Sequence, residues 1–236
     1  MPEDTVTLMD ENTRRYYLDV MGIQCWESIS PAEQFAESSK VTGSLSGDAL
    51  SFPLLEEAIQ QCDKCRLHEG RRQAISGRGN LSAELMIVLL APDAVDDEAA
   101  MICSGEANDL LARMIAAINL SIDDVYISSL LKCAVPATHT VSTTEMHHCI
   151  DHLKQQIQLI QPKLLVVLGE TAARCLLQDN LSLDDIRSVT NNSAEQKQFE
   201  AVPLFTSYSP KELMQQPDNK RKAWLDLQKI QKIIQA

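Results

Sequence analysis

Four short and nearly continuous apolar runs recur between residue 52 and the C-terminus, and helical patterns separate them. The runs are Leu85–Leu90, Val125–Leu131, Leu164–Leu168 and Val202–Phe205. Runs of this length without strict alternation are typical of strands that are buried on both faces of a parallel sheet. Their alternation with helical segments predicts a three-layer α/β/α domain over residues 52–236, built on a four-stranded, mainly parallel sheet.

Two helices of this domain have recognisable signals. Ser142 and Glu145 form a capping box, which predicts the start of a helix at this point. A C-terminal helix is predicted over residues 221–234. Its expected packing face consists of Trp224, Leu227, Ile230 and Ile234.

Two further sections precede the domain. Residues 1–28 concentrate aromatic side chains, and Tyr17, Val20 and Met21 are spaced as on one face of a helix. A helix of one or two turns is not stable alone in water, so this peptide is expected to dock on another surface, either that of a partner or that of its own domain. Residues 29–51 are rich in Ser, Glu and Gly and predict a flexible linker.

Composition and charge narrow the classes of function. No apolar run approaches the roughly 20 residues that span a bilayer, and residues 1–10 lack a signal sequence, so no membrane contact and a cytoplasmic location are predicted. The net charge is −12, from 33 acidic and 21 basic residues. This balance predicts little direct DNA binding and favours a protein partner. The acidic run at residues 93–98 is expected to be a solvated loop.

Four of the seven cysteines have the spacing of metal ligands. Cys62 and Cys65 are a C-x2-C pair, Cys133 follows the second apolar run, and Cys149 comes sixteen residues later. In a reducing compartment such thiols are more often metal ligands than disulfides, and soft thiolates select an iron–sulfur cluster or zinc. The wide second spacing favours a [4Fe–4S] cluster, with zinc as the alternative. Unrelated buried thiols are a third interpretation. That interpretation suits two other cysteines better, Cys103 and Cys175.

These motifs together resemble the family-4, iron–sulfur-containing uracil-DNA glycosylases, over about residues 54–234. The resemblance rests on the cysteine spacing and on short motifs around the apolar runs, namely Cys62–Leu67, Gly77–Asn80, Lys132-Cys133 with Pro136, Pro162-Lys163, Gly169 and Trp224–Gln228. It implies a uracil-DNA-glycosylase-like fold, and it implies that the four cysteines hold the family's cluster.

The residues that carry the chemistry in that family are replaced here. The resemblance aligns the family's water-activating acid with Leu90, and a glycine of the same loop with Asp93. It aligns the aromatic that stacks on the flipped uracil with Cys103, the amide that reads the base edge with Ser129, and a histidine of the last motif with Ser209. Base excision needs groups that stack on the base, read its edge and stabilise departing charge. The replacements therefore predict a degenerate glycosylase fold without catalytic residues.

The N-terminal peptide carries a second resemblance, to the psi subunit of bacterial DNA polymerase III. The matching residues are predicted to bind the partner, and they are Arg14, Arg15, Tyr16, Tyr17, Leu18, Met21, Gly22, Ile23 and Trp26. The resemblance implies that this peptide binds the tau/gamma subunits of the clamp loader. It also implies that the body binds the chi subunit and, through chi, single-stranded-DNA-binding protein.

Three hypotheses follow for the function. The leading one is a non-catalytic, psi-like accessory subunit of the clamp loader in DNA replication, motivated by the peptide and the replaced site residues. The alternative is a family-4-like uracil-DNA glycosylase or a damaged-DNA binder in base-excision repair. The third is an iron–sulfur redox sensor.

Overall fold

The structure is a computed structural model that describes residues 51–136, 138–192 and 197–235. Its strands are β1 (Arg78–Gly79), β2 (Leu85–Leu89), β3 (Tyr126–Ser129), β4 (Leu164–Leu168), β5 (Gln198–Phe199) and β6 (Val202–Ser207). Its helices are α1 (Phe52–Gln60), α2 (Ala94–Ala99), α3 (Gly105–Ala116), α4 (Thr143–Ile160), α5 (Glu170–Leu177), α6 (Leu183–Thr190), α7 (Pro210–Gln215) and α8 (Lys220–Ile234), with 3₁₀ turns at Arg66–Glu69 and Pro217–Asn219. The predicted partner-binding peptide at residues 1–28 and most of the linker lie outside the described residues.

Within the described residues one mixed sheet has the strand order β1-β3-β2-β4-β6-β5. The four central strands are parallel, and the register places Ile87 opposite Ile127 and Val166. The two-residue strands β1 and β5 pair antiparallel at the edges. The predicted fold class is confirmed, with two short edge strands added to the four expected ones.

The alternation of side chains along the central strands separates two cores, one on each face of the sheet. Met86 and Val88 of β2 point to a core shared with α4, α5 and α6. Leu85 and Ile87 point to the other face, where α3 and α8 cover the sheet. Burial of apolar side chains on both faces explains why the central strands read as continuous apolar runs.

Individual elements confirm or correct the sequence analysis. The capping box of Ser142 and Glu145 is formed, and α4 begins at Thr143, directly after the N-cap residue Ser142. The acidic run is not a solvated loop, because Asp93 caps α2 and Asp96 is buried. On α8 the predicted packing residue Trp224 is 42% exposed, whereas Ile230 is buried.

Glycines at the β1 edge explain one of the short motifs. Gly79 has φ +116°, and a β-carbon at this position would collide with the carbonyl oxygen of Val125. The motif Gly77–Asn80 therefore has a structural role, because its glycine allows the backbone of β1 to approach β3 closely. In the part of the chain that the structure describes, no helix has the length and apolar character needed to cross a bilayer.

Candidate functional site

A cavity of about 470 Å³ opens at the carboxyl ends of the parallel strands. The chain leaves β2 toward β3 on one side, and β4 lies on the other side of β2. Ligands of open α/β sheets bind at such a point, where the order of the strands reverses. Leu89 and Leu90 at the end of β2, and Leu168 and Gly169 at the end of β4, line this cavity. Its volume is within the range of small-molecule sites.

Four of the five positions singled out in the sequence meet in this cavity, namely Leu90, Asp93, Cys103 and Ser209. The fifth, Ser129, does not line it. The Ser129 side chain is fully buried, and its hydroxyl donates a hydrogen bond to the carbonyl of Leu131 at 2.7 Å. Its place under the cavity wall gives it a structural role.

Asp93 is a half-buried carboxylate at the cavity wall. One oxygen accepts a hydrogen bond from the backbone N–H of Asp96, and the other lies 2.5 Å from the ammonium group of Lys211. Partial burial acts to raise the pKa of Asp93. The hydrogen bonds from Lys211 and from the Asp96 backbone outweigh burial and hold this pKa below its usual value.

Cys103 and Asp96 form a buried part of the cavity wall. Asp96 accepts hydrogen bonds from the backbone N–H and the hydroxyl of Ser104, at 2.6 and 2.7 Å. Arg78 donates to the carbonyl of Ile102, which holds the segment before Cys103 in place. Burial, with the nearby charge of Asp96, raises the pKa of the Cys103 thiol to about 11, so this thiol is neutral at pH 7.

The facing wall comes from the start of α7. Ser209 and Glu212 form a capping box, in which Glu212 accepts a hydrogen bond from the backbone N–H of Ser209 at 2.8 Å. The second Glu212 oxygen accepts from the backbone N–H of Glu170 at 2.9 Å, which ties α7 to α5. At the rim, Nε2 of His139 lies 3.0 Å from the carboxylate of Glu145.

The cavity also contains polar groups that were not predicted as site residues, among them Asp96, Lys211, Glu212 and the rim residue His139. Lys211 and Glu212 begin the helix that follows β6, the fourth parallel strand. A signal for them existed, because residues just after the carboxyl end of a parallel strand are favoured positions for a site. The cavity therefore combines apolar walls with a few polar groups, as small-molecule sites do.

The four predicted cluster ligands gather in a second region, beside the end of β3. Cys133 and Cys149 are buried, and Cys65 packs against the same small core. Cys62 lies close enough that its charge acts on the pKa of both Cys133 and Cys149. The cysteines of the described residues are free thiols.

Arg71 connects two parts of this cysteine region. Its guanidinium donates to the sulfur of Cys133 at 2.8 Å and to the carbonyls of Gln60 and Cys62, each at 2.8 Å. The backbone N–H of Lys132 lies 3.3 Å from the sulfur of Cys149. Burial raises the pKa of both thiols, that of Cys149 to about 11, and these donors act in the opposite direction by favouring the thiolate form that binds metal.

Lys132 is buried between the cysteine region and α4. Its ammonium group donates to the hydroxyl of Ser128, the carbonyl of Ser129 and the side-chain oxygen of Gln156, each at 2.7 Å. Burial lowers the pKa of Lys132 to about 7, against the opposing attraction of Cys149. The three acceptors compensate the buried polar group and join β3 to α4.

The four cysteines are a donor set that both a [4Fe–4S] cluster and a structural zinc ion use. Among residues 51–136, 138–192 and 197–235, no three His, Cys, Asp or Glu side chains are arranged to hold one metal ion. Four thiolates around one zinc ion at about 2.3 Å each must lie very close to one another. A [4Fe–4S] cluster is also held by four thiolates, so the chemistry of the residues present fits this group.

Comparisons with known proteins give one consistent result. The model of the uracil DNA glycosylase superfamily matches residues 76–228. A type-4 uracil-DNA glycosylase of Pyrobaculum aerophilum is 36% identical over 52% of this chain and 63% of that protein, so less than two thirds of its length is covered. Proteins of the same name from Archaeoglobus fulgidus and Saccharolobus solfataricus are 31% and 27% identical. Those two matches cover 73% and 78% of this chain, and 87% of each relative.

These similarities correct the functional part of the sequence analysis. The leading hypothesis of a psi-like clamp-loader subunit in replication is wrong, because these relatives are named as glycosylases. The predicted absence of enzymatic activity is wrong for the same reason, and so are the tau/gamma and chi partners and the expectation of little DNA binding. That interpretation judged the site by five aligned side chains, whereas the cavity also contains Lys211, Glu212 and His139. The chain belongs to the uracil-DNA glycosylase superfamily.

Proposed function

We propose that the protein is a uracil-DNA glycosylase that hydrolyses the bond between uracil and deoxyribose in DNA. The observation that carries this proposal is the cavity at the strand-order reversal of a glycosylase-superfamily fold. A base inside a duplex cannot reach such a cavity, so the uracil must be unstacked or flipped out before it enters. The names of the type-4 relatives support uracil as the base.

The cavity offers what excision of a flipped base requires. Apolar side chains such as Leu90 and Pro92 line it and exclude water from the base. Asp93 and Lys211 place one negative and one positive charge at its wall. The transition state separates a cationic sugar from an anionic base, and fixed charges at this position stabilise that separation.

We propose that Cys62, Cys65, Cys133 and Cys149 hold a [4Fe–4S] cluster. The support is the gathering of these cysteines beside the end of β3 and the donors that Arg71 and Lys132 direct at two of the sulfurs. The cluster would supply a structural cross-link and no catalytic group. By binding the cluster, the four cysteines would attach the segment after α1 to the end of β3 and to α4.

The proposed reaction and cofactor both fit the cytoplasm. The substrate is DNA, and cluster thiols must stay reduced, as they do in that compartment.

The metal is tested on the purified chain by its absorption spectrum and by iron and sulfide analysis. We expect about four iron and four sulfide ions per chain. Zinc without iron would contradict the cluster. The double variant Cys103→Ser with Cys175→Ser is the control, because these thiols lie outside the four, and it should keep the metal.

The activity is tested on a single-stranded oligonucleotide with one uracil, followed by alkaline cleavage at the abasic site. We expect cleavage at the uracil alone, and none in the same oligonucleotide with thymine. Thr171→Trp should abolish it, because exposed Thr171 lines the cavity and a tryptophan would fill it. Asp123→Trp, on an exposed loop just before β3, is the matched control and should retain cleavage. Tight binding without cleavage by the wild type would refute the glycosylase and favour a damaged-DNA binder.

A further inference from the structure

We propose that Asp93 is the catalytic carboxylate that orients the attacking water, and that Lys211 is the residue that positions it. This inference rests on the proposed uracil excision. It assigns the water-orienting role to a side chain three positions after Leu90, which cannot bind water through a hydrogen bond.

Three carboxylates line the cavity among the described residues: Asp93, Asp96 and Glu212. Asp96 is 2% exposed, and its two oxygens accept hydrogen bonds from Ser104 and from the backbone of Asp93. Both oxygens of Glu212 accept backbone N–H groups that hold the facing wall together. These two carboxylates are therefore occupied by the protein itself.

Asp93 differs from them in access. Its side chain is 40% exposed, and the pair with Lys211 uses one lone pair of one oxygen. The cap to the Asp96 backbone uses a lone pair of the other oxygen. A carboxylate has about four lone-pair sites, so Asp93 retains capacity for a water molecule at the cavity wall.

The chemical step balances with water as the only co-reactant. The bond between N1 of uracil and C1′ of the sugar breaks, and its electron pair leaves with the base. The water oxygen forms the new bond to C1′, and the proton it loses is accepted at Asp93 and passed to solvent. The departing base takes up one proton from solvent, which gives uracil and an abasic sugar.

Lys211 acts through Asp93. It reaches across from the start of α7 to the loop before α2, so it fixes the carboxylate between two elements that form opposite walls. The same contact favours the ionised form, which is the form that orients water and accepts its proton. Without Lys211, the acidic side of the pH–rate profile should therefore move to higher pH.

The test compares Asp93→Asn with the wild type in single-turnover excision and in binding to the uracil oligonucleotide. Asparagine is also a good N-cap, so α2 should stay folded. We expect the rate of excision to fall by about 100-fold or more, with binding retained. Glu98→Gln is the control, since it removes one carboxylate from the same helix at a side chain that is 68% exposed and outside the cavity.

Lys211 is tested by the pH–rate profile. We expect Lys211→Met to lower the rate and to move the acidic limb to higher pH, and we expect Lys211→Arg to restore both in large part. If the wild type excises uracil and Asp93→Asn excises it as fast as Glu98→Gln, this inference is overturned and the proposed function is retained. Absence of excision by the wild type would overturn both. An unchanged pH profile in Lys211→Met would overturn the role of Lys211.

Discussion

The substitution Asp226→Asn tests how α8 holds the wall of the cavity. Asp226 is 3% exposed and accepts two hydrogen bonds from Arg187, at 2.7 and 2.9 Å. It also accepts from the hydroxyl of Ser207 at 2.7 Å and from the amide of Asn191 at 3.2 Å. Ser207 ends β6, just before the turn that begins α7 and the cavity wall. The carboxylate thus joins α6, α8 and β6.

The expected magnitude follows from these contacts. Removing one partner of a buried ion pair costs about 3–5 kcal/mol, because the other charge is left buried and uncompensated. Arg187 keeps its pair with Asp184 and its contact with the ring of Tyr208, so the lower end applies. We expect a loss of about 3 kcal/mol in the free energy of unfolding.

Urea denaturation of the purified chain, followed by circular dichroism, measures this loss. The midpoint should fall by about 1 M or more, given the slopes usual for proteins of this size. Asp218→Asn is the matched control, since Asp218 is exposed and precedes the same helix, and its effect should stay within about 0.5 kcal/mol. Equal midpoints for the two variants would refute the assigned role of Asp226.

Two further predictions concern the cysteine region and its neighbour. Arg71→Gln removes the donor to the buried sulfur of Cys133, so this variant should lose iron to a chelator faster than the wild type. Arg72→Gln, which changes an exposed neighbour, should lose iron at the wild-type rate. Equal rates of iron loss in the two variants would contradict the role of Arg71. Burial, with the positive charges of Lys64 and Lys132, lowers the pKa of His152 to about 4. In the unfolded chain His152 is protonated at a higher pH than in the folded protein. The free energy of unfolding should therefore fall as the pH drops from about 6.5 toward 4. His152→Gln should reduce the dependence of the unfolding midpoint on pH between about 6.5 and 4. The control is His148→Gln, which changes an exposed histidine, and the same pH dependence in both variants would contradict the role of His152.

Much of the fold could be predicted because burial on both faces leaves a direct trace in the sequence. The runs at Leu85–Leu90 and Leu164–Leu168 became β2 and β4 almost residue for residue. The two-residue strands β1 and β5 could not be predicted. They exist only because another strand offers hydrogen bonds at the sheet edge, and two residues carry no periodicity of their own.

The prediction of a site without chemistry was wrong, because the relatives are named as glycosylases. Leu90, Cys103 and Ser209, which the resemblance aligned with family site residues, all line one cavity. The pair of Asp93 with Lys211 joins residues that are 118 positions apart, so only the folded chain places them together. Reading each position alone led to the wrong prediction that the chain is not an enzyme.

Release of free uracil from single-stranded DNA tests the proposed function most directly. The protein is mixed in excess with a uracil-containing oligonucleotide, and the liberated base is separated by chromatography and identified by mass. We predict one uracil released per oligonucleotide by the wild type, almost none by Thr171→Trp, and release that is slower by about 100-fold or more by Asp93→Asn. No release by a wild-type protein that is folded and binds the oligonucleotide would contradict the glycosylase.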